Sequence, residues 1–262
     1  MFDSVGTIES LWRYPVKSMR GEALPEAFLG FAGVFGDRVC AFRTTTAQPG
    51  FPYLTAREQE HMLLYSASFR DGGMSGPPNL SEAEALPPGV TPVYPDQARF
   101  AVAVRSPSGE SYSVDDPRLA EMLRPEADQG TITLHRSDRA MTDCRPVSLF
   151  SVQTAERLAG EAGLPVDKRR FRANLYIDLR ATTGYAENEF VGRKLRIGGK
   201  AVLMITDQDP RCKMITLDPD TAEPKPEVLR AVNRLHDNKA GVYGVVIVEG
   251  MVRFGDPIVP LD

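Results

Sequence analysis

Three sets of side chains in this sequence could do chemistry: one cysteine between two cations, several arginines and lysines at turns, and acidic residues beside them. Cys212 stands in Asp207-Gln208-Asp209-Pro210-Arg211-Cys212-Lys213-Met214, just after a strongly apolar stretch. A thiolate here would be a soft metal ligand or a nucleophile, and flanking Arg211 and Lys213 favour the charged form. The same residue also fits a plainer description, a small apolar side chain opening the next strand, because free cysteine is among the most buried residue types. Local chemistry alone favours the plainer description. Cys40, in Val39-Cys40-Ala41-Phe42, reads as core, and the surroundings of Cys144 assign it no role.

The cations are notable for their placement. Lys168-Arg169-Arg170-Phe171-Arg172 puts four of them into five residues, Lys17 and Arg20 bracket a turn, and Arg38, Arg57 and Arg211 sit beside strand ends or loops. Each alone is an ordinary solvated charge. Together they suit a phosphate-bearing anion, since arginine offers paired donors to phosphate oxygens. Common sites are missing: there is no GxxxxGK[ST] phosphate loop, no HExxH, no CxxC and no GxSxG. The histidines His61, His135 and His236 are scattered, which argues against a histidine-built metal centre. Asp218-Pro219-Asp220 reads as a turn rather than a cation loop.

The elements that must position these groups are mostly short strands. Strand candidates are Ser4–Lys17, Asp37–Thr46, His61–Arg70, Arg99–Arg105, Val147–Val152 and Arg172–Leu179. Leu195–Ile197 and Lys200–Ile205 form a hairpin about Gly198-Gly199, and Val242–Val248 with Val252–Phe254 reads as a closing pair. Helices are expected over Pro117–Arg124, started by Pro117 after Asp115-Asp116, over Gln153–Ala162, stopped by Gly163, and over Glu227–Leu235. Asp71–Pro95 is a long irregular connection where substrate selection is expected. The pattern lacks regular βα alternation, so the expected class is mainly β (α+β), antiparallel and barrel-like with few short helices. A boundary near residue 140 divides the chain into 1–140 and 141–262, with the two parts free to interleave.

Length and composition agree with that frame. The chain has 262 residues, 42% hydrophobic and 25% charged, ordinary values for a globular protein of one large or two small domains. A net charge of −4 disfavours a generic nucleic-acid binder. No apolar run is long enough to span a membrane, and the N-terminus lacks the features of a signal peptide. Three cysteines make no disulfide framework, so a cytoplasmic protein with reduced thiols is expected.

The ordered motifs carry a family resemblance. Tyr14-Pro15-Val16-Lys17-Ser18 with Gly21, Gly36-Asp37-Arg38, Thr55-Ala56-Arg57, Asp143-Cys144-Arg145-Pro146, Phe171-Arg172-Ala173-Asn174, Arg211-Cys212 with Thr216–Thr221, and Gly255-Asp256 follow one another along nearly the whole chain. The sequence resembles the MOSC-domain proteins that carry the MOSC N-terminal β-barrel domain, the branch that includes the mitochondrial amidoxime-reducing component and its bacterial relatives. The resemblance implies a barrel MOSC domain over 141–262 behind an N-terminal β-barrel-like domain over 1–140. It also implies a molybdenum cofactor, a pterin bearing a dithiolene and a phosphate. Carried over residue by residue, Lys17, Ser18, Arg38, Thr142, Asp143, Arg172, Asn174, Pro210, Arg211 and Cys212 would contact that cofactor, with Cys212 as the metal ligand.

Two positions depart from the family pattern. Many relatives carry CxxC where this chain has Asp209 and Cys212, which puts a carboxylate close to the metal edge. FRPN becomes FRAN at Ala173. The implied activity is reduction of N-hydroxylated or N-oxide-like small molecules by oxo transfer. In that activity Cys212, Asp209 and Asp143 are the catalytic candidates, the two aspartates as proton relays. With no four-cysteine cluster binder in the sequence, electrons would come from a separate flavin or iron–sulfur protein. The alternative from another class is a carrier that passes the cofactor or a persulfide through Cys212.

Overall fold

The computed structural model describes residues 3–70, 74–87, 90, 92–96, 100–126 and 130–261. Seven strands close a barrel: β1 (Gly6–Arg13), β2 (Val147–Ser151), β3 (Leu175–Leu179), β4 (Lys194–Ile197), β5 (Ala201–Pro210), β6 (Lys239–Val248) and β7 (Pro257–Pro260). The order around the barrel is β3-β2-β6-β5-β4-β7-β1, and β1 returns to pair with β3. The first strand of the chain therefore completes a barrel whose other strands all come from its second half. The interior is filled by Ile8, Leu11, Leu149, Leu175, Ile177, Leu195, Leu203, Ile205 and their neighbours, all buried.

Every pairing in the barrel is antiparallel except β2 with β3. Parallel neighbours need a crossover, and the helix Val152–Ala162 supplies it. Its ends are set by local chemistry. Ser151 caps the start, its hydroxyl accepting from Thr154 N at 3.1 Å, and Gly163 leaves the helix in the left-handed region at φ 70°. The helix Pro117–Met122 likewise begins with proline after an Asp116 cap, and Pro226–Leu235 begins with proline.

The segment between β1 and β2 builds a second core around Val16, Met19, Phe42, Leu54, Met62, Val104 and Leu119. Here Cys40–Thr44 pairs with Ile132–Arg136, and Ser66–Phe69, Val102–Arg105 and Ser111–Ser113 form a three-stranded sheet. Cys40 is fully buried, as its apolar neighbours suggest. Among the described residues no helix is long and apolar enough to cross a membrane.

Three expectations need correction. His61–Arg70 is not one strand: Glu60–Leu64 turns as a 3-10 helix before the strand Ser66–Phe69. Val252 does not pair with the strand before it, because Gly250–Arg253 lies antiparallel to Glu26–Gly30 in a small sheet of its own. The connection after Arg70 is not wholly irregular, since Leu80–Glu84 is helical; Asp71, Gly72, Gly73, Pro88 and Arg99 lie outside the described residues.

Gly241 in β6 connects this frame to the cations described below. Its φ is +79°, and an added Cβ would stand 2.8 Å from Leu149 O and 3.0 Å from Arg211 Nη2. Only glycine lets the β2 backbone and the Arg211 guanidinium approach together. Gly241→Ala is expected to lower stability by about 1–3 kcal/mol, read by urea denaturation; an unchanged midpoint would show that the strand relaxes without strain.

Candidate functional site

An open cleft of about 760 Å³ lies where barrel residues Ser148, Asp209 and Tyr243 face the Lys17 turn and Arg38. Every residue that the resemblance assigned to the cofactor lines it: Lys17, Ser18, Arg38, Thr142, Asp143, Arg172, Asn174, Pro210, Arg211 and Cys212, with Asp209 beside them. They arrive from five stretches of chain. Lys17 and Ser18 occupy the turn after β1, which is tied to the second core by a bridge between Val16 and Cys40. Arg38 precedes the strand at Cys40, and Arg172 follows the 3-10 turn Lys168–Phe171. Pro210 ends β5, with Arg211 and Cys212 next in chain.

The backbone at three of these residues is held in an unfavourable conformation. Ser18, Arg38 and Arg172 have φ of 66°, 48° and 52°. Side chains other than glycine rarely adopt this region, and such strain collects at functional sites because surrounding structure enforces it. Tyr14 is the enforcing element for two of them. Its hydroxyl donates to Ala173 O at 3.1 Å, its carbonyl accepts from Arg38 N at 2.7 Å, and the Arg38 and Arg172 guanidinium carbons lie 4.7 and 4.3 Å from its ring centroid.

Each cation at the cleft except two has its own carboxylate. Lys17 Nζ pairs with Asp143 and donates to Met141 O at 2.8 Å. Arg38 pairs with Asp37 and donates to Arg172 O at 3.0 Å. Arg170 reaches Asp218 at 2.8 Å, and Arg211 reaches Asp209 at 2.7 Å. Arg145, at the rim, donates to Asp207 at 3.0 Å. The exceptions are Arg57, whose Nε donates to Thr55 Oγ1 at 3.2 Å, and Arg172. Arg172 Nη2 is buried with no hydrogen-bond partner. Burial, with Arg38 adding repulsion that the Tyr14 hydroxyl partly offsets, pushes the Arg172 guanidinium down to about 10.

The carboxylates respond in opposite directions. Burial would raise Asp143, but Lys17, Arg57 and Arg38 together hold it below the usual carboxylate range. For Lys17 burial wins, and its amine is lowered despite Asp143. Asp209 is only 2% exposed, and burial raises its carboxyl above the usual range against the pull of Arg211. Ser148 Oγ donates to Asp209 Oδ2 at 3.1 Å, and Tyr243 adds a further hydrogen bond.

Several residues sit in the cleft in a different role from the one their sequence neighbours suggest. Arg211 turns inward, its Nε donating to Ala240 O at 2.7 Å and its Nη1 to Phe171 O at 3.0 Å. Lys213 reaches out to Glu60 at 2.7 Å and to Arg57 O. Neither flanking cation is therefore committed to the Cys212 thiol, which is half-buried at the cleft. Asn174 spends its amide on the barrel, Oδ1 accepting from Ser148 N at 3.2 Å and Nδ2 donating to Trp12 O at 3.3 Å. The cation run disperses: Lys168 pairs with Glu9 and Arg169 with Asp167 and Asp220, so only Arg170 and Arg172 reach the cleft. Cys144 is exposed beside it.

The described residues of the Asp71–Pro95 connection line no part of the cleft. Tyr94 packs edge-on against Phe28 and donates to Glu249 at 3.0 Å, which holds this segment on the small sheet instead. Conversely, Ser148, Ile215 and Tyr243 line the cleft without any sequence signal that marks them. Asp218 behaves as a turn residue, its Oδ1 accepting from Asp220 N at 3.0 Å and Thr221 N at 3.2 Å.

Among the described residues no group of three or more His, Cys, Asp or Glu side chains could cage a metal. A metal held here would have the Cys212 thiolate as its protein donor and would bring further soft ligands with it. A phosphate-bearing group carrying a dithiolene meets that description, and the uncompensated Arg172 and Arg57 supply the positive charge a phosphate needs. The residues present fit such a group.

Comparisons with known proteins bear on the same stretch. Residues 136–259 match the MOSC domain and residues 5–76 match the MOSC N-terminal beta barrel domain. Mitochondrial amidoxime-reducing component 1 of Mus musculus is 24% identical, with 97% of this chain and 82% of the relative aligned. Among solved structures, YuaD from Bacillus subtilis shares 14% identity at a TM-score of 0.48, over 99% of this chain and 98% of that one. YiiM from Geobacillus stearothermophilus shares 18% at 0.35, over 45% and 55%.

An uncompensated buried cation costs stability in the empty protein and repays it when an anion binds. Arg172→Met keeps the aliphatic stem against Tyr14 and removes the charge. It is expected to raise the stability of the ligand-free protein by on the order of 1 kcal/mol and to abolish most of the stabilisation given by added pyrophosphate. Thermal melts with and without pyrophosphate read both effects; a destabilised variant that still responds to pyrophosphate would show that Arg172 is compensated and not part of an anion site.

Proposed function

The chain is a MOSC-domain protein that also carries the MOSC N-terminal beta barrel domain, and from that premise we propose a molybdenum-cofactor-dependent reductase of N-hydroxylated or N-oxide-like small molecules. The observation that carries this reading is the meeting of one soft thiol, Cys212, with a cation set that retains two uncompensated arginines, in a cleft between the barrel and the second core. The 24% identity to an amidoxime-reducing protein, over nearly the whole chain, supports the choice of substrate class.

When bound, the molybdenum cofactor supplies two-electron oxygen-atom chemistry. The Cys212 thiolate would hold the metal. Lys17, Ser18, Arg38 and Arg172 would hold the phosphate and pterin, with Thr142 and Pro210 on the walls. In the reaction the substrate N–O bond breaks, two electrons and two protons are consumed, and the reduced nitrogen compound leaves with one water. The electrons come from a separate flavin or iron–sulfur donor protein.

The chain's own work is binding, orientation and proton supply. Arg211, fixed by Asp209 and by two backbone carbonyls, braces the end of β5 and so sets where Cys212 stands. Asn174 ties β1 to β2 through Trp12 and Ser148 and keeps the Lys17 turn against the barrel. Asp143, paired with Lys17 at the cleft, and Asp209, hydrogen-bonded to Ser148, are the proton-holding groups of this reading. Free thiols at all three cysteines suit a reducing, cytoplasmic setting.

The test is a side-by-side measurement of molybdenum and pterin per chain, and of amidoxime reduction with an artificial electron donor. Wild type and Cys144→Ser are expected to hold the cofactor and turn over. Cys212→Ser is expected to fold, as judged by circular dichroism, and to lose turnover, because a hydroxyl oxygen is a poor replacement for a soft sulfur ligand. Full activity in Cys212→Ser with loss in Cys144→Ser would place the ligand wrongly, and molybdenum-loaded protein without turnover on any N-hydroxylated compound would remove the reductase reading.

A further inference from the structure

Beside the cofactor cleft runs an open groove of about 1250 Å³ whose walls include Phe51, Tyr53, Leu54 and Arg57. The two cavities share Arg57, so the groove and the cleft lie against the same side chain. Phe51 and Tyr53 stand edge to face, ring centroids 5.4 Å apart and planes at 85°. Both rings are half-buried, and the Lys17 amine lies 5.5 Å from one centroid and 5.3 Å from the other. The Arg57 guanidinium lies over Phe51 at 4.5 Å.

This wall is held in place before any ligand arrives. Thr44 N donates to Pro52 O at 3.1 Å, Phe51 N to Gln48 O at 3.1 Å and Leu54 N to Phe42 O at 2.9 Å, and Tyr53 forms a bridge with Arg43. The loop is thus fastened to a buried strand, which lowers the ordering cost of binding. Two aromatic rings and a guanidinium plane make flat, polarisable surfaces that favour a planar π-system over an alkyl group of equal size. Thr55 Oγ1 accepts from the Arg57 Nε at 3.2 Å, and both residues line the cleft.

We infer that Phe51, Tyr53 and Arg57 form the substrate subsite, selecting N-hydroxylated compounds whose functional group is carried on a planar aromatic ring. The ring rests against Phe51 and Tyr53 while the N–O group projects past Arg57 toward Cys212. This rests on the reductase reading above and adds to it the part of the molecule that recognises the substrate's body.

The experiment compares benzamidoxime with acetamidoxime, which carry the same reacting group on an aromatic and an aliphatic body. In cofactor-loaded wild type the kcat/KM ratio is expected to favour benzamidoxime. In the Phe51→Leu/Tyr53→Leu double variant that ratio is expected to fall about tenfold, through KM more than kcat, while the single Phe51→Tyr variant, which keeps a ring there, retains it. Molybdenum and pterin content, measured on the same samples, separates a lost subsite from a disturbed Lys17. A ratio unchanged in the double variant at normal cofactor content overturns the subsite and leaves the reductase standing. If wild type reduces neither compound, the reductase reading fails. The subsite is then judged by calorimetric binding of benzamidine against acetamidine: preference for benzamidine lost in the double variant supports it, and equal binding of the two by wild type overturns it.

Discussion

Like charges crowded into one cleft are the constraint on which the rest of this structure depends. Lys17, Arg38, Arg170, Arg172 and Arg211 converge there from separate parts of the chain. Two unit charges about 4 Å apart repel by roughly 4 kcal/mol at an effective dielectric of 20, so the set is tolerable only with partners. Asp143, Asp37, Asp218 and Asp209 each take one cation, and the pairs leave over Arg172 and, at the same cleft, Arg57. That remainder is a cost to the empty protein and an attraction for an anion. The left-handed backbone at Ser18, Arg38 and Arg172 is part of the same arrangement, since it turns the chain at the positions where these side chains must face inward.

The barrel is what can carry such strain. Its first strand comes from the N-terminus and is gripped on both sides, by β3 and by β7, so the Lys17 turn begins from a fixed edge. The parallel β2–β3 pair, with its crossover helix, places Asn174 and Arg172 immediately before β3 at the same end. Asn174 then joins three strands through four hydrogen bonds, two from its backbone and two from its amide. A closed sheet with no free edge does not shear easily, and the cleft inherits that rigidity.

What the residues alone revealed follows from how local the determining forces are. The helix start at Pro117 and the stop at Gly163 were legible because such signals are settled within a few residues, whereas the Ser151 cap was hidden in a stretch that reads as strand. The site residues were legible only through the ordered set of short motifs, and all ten do line one cleft. Partnerships across the chain were not. Nothing beside Arg211 announces that it turns toward Asp209 and Ala240 rather than toward Cys212, and nothing beside Val252 announces that its strand joins Glu26–Gly30. Ser148 and Tyr243 carry no local mark because their roles come from Asp209, which is distant from both in sequence. The Asp71–Pro95 connection misled for the complementary reason: irregular composition says that a segment is a loop and not which surface it covers.

The central claim is that this cation-lined cleft presents Cys212 as the single protein ligand of a molybdenum centre. X-ray absorption at the molybdenum edge, on wild type and Cys212→Ser reconstituted in parallel, tests it at the metal itself. The expected result is one sulfur neighbour fewer at molybdenum in Cys212→Ser, with the remaining sulfur shell intact. An identical sulfur shell in both proteins would contradict the account, because the thiol around which the cleft is arranged would then not be bound to the metal.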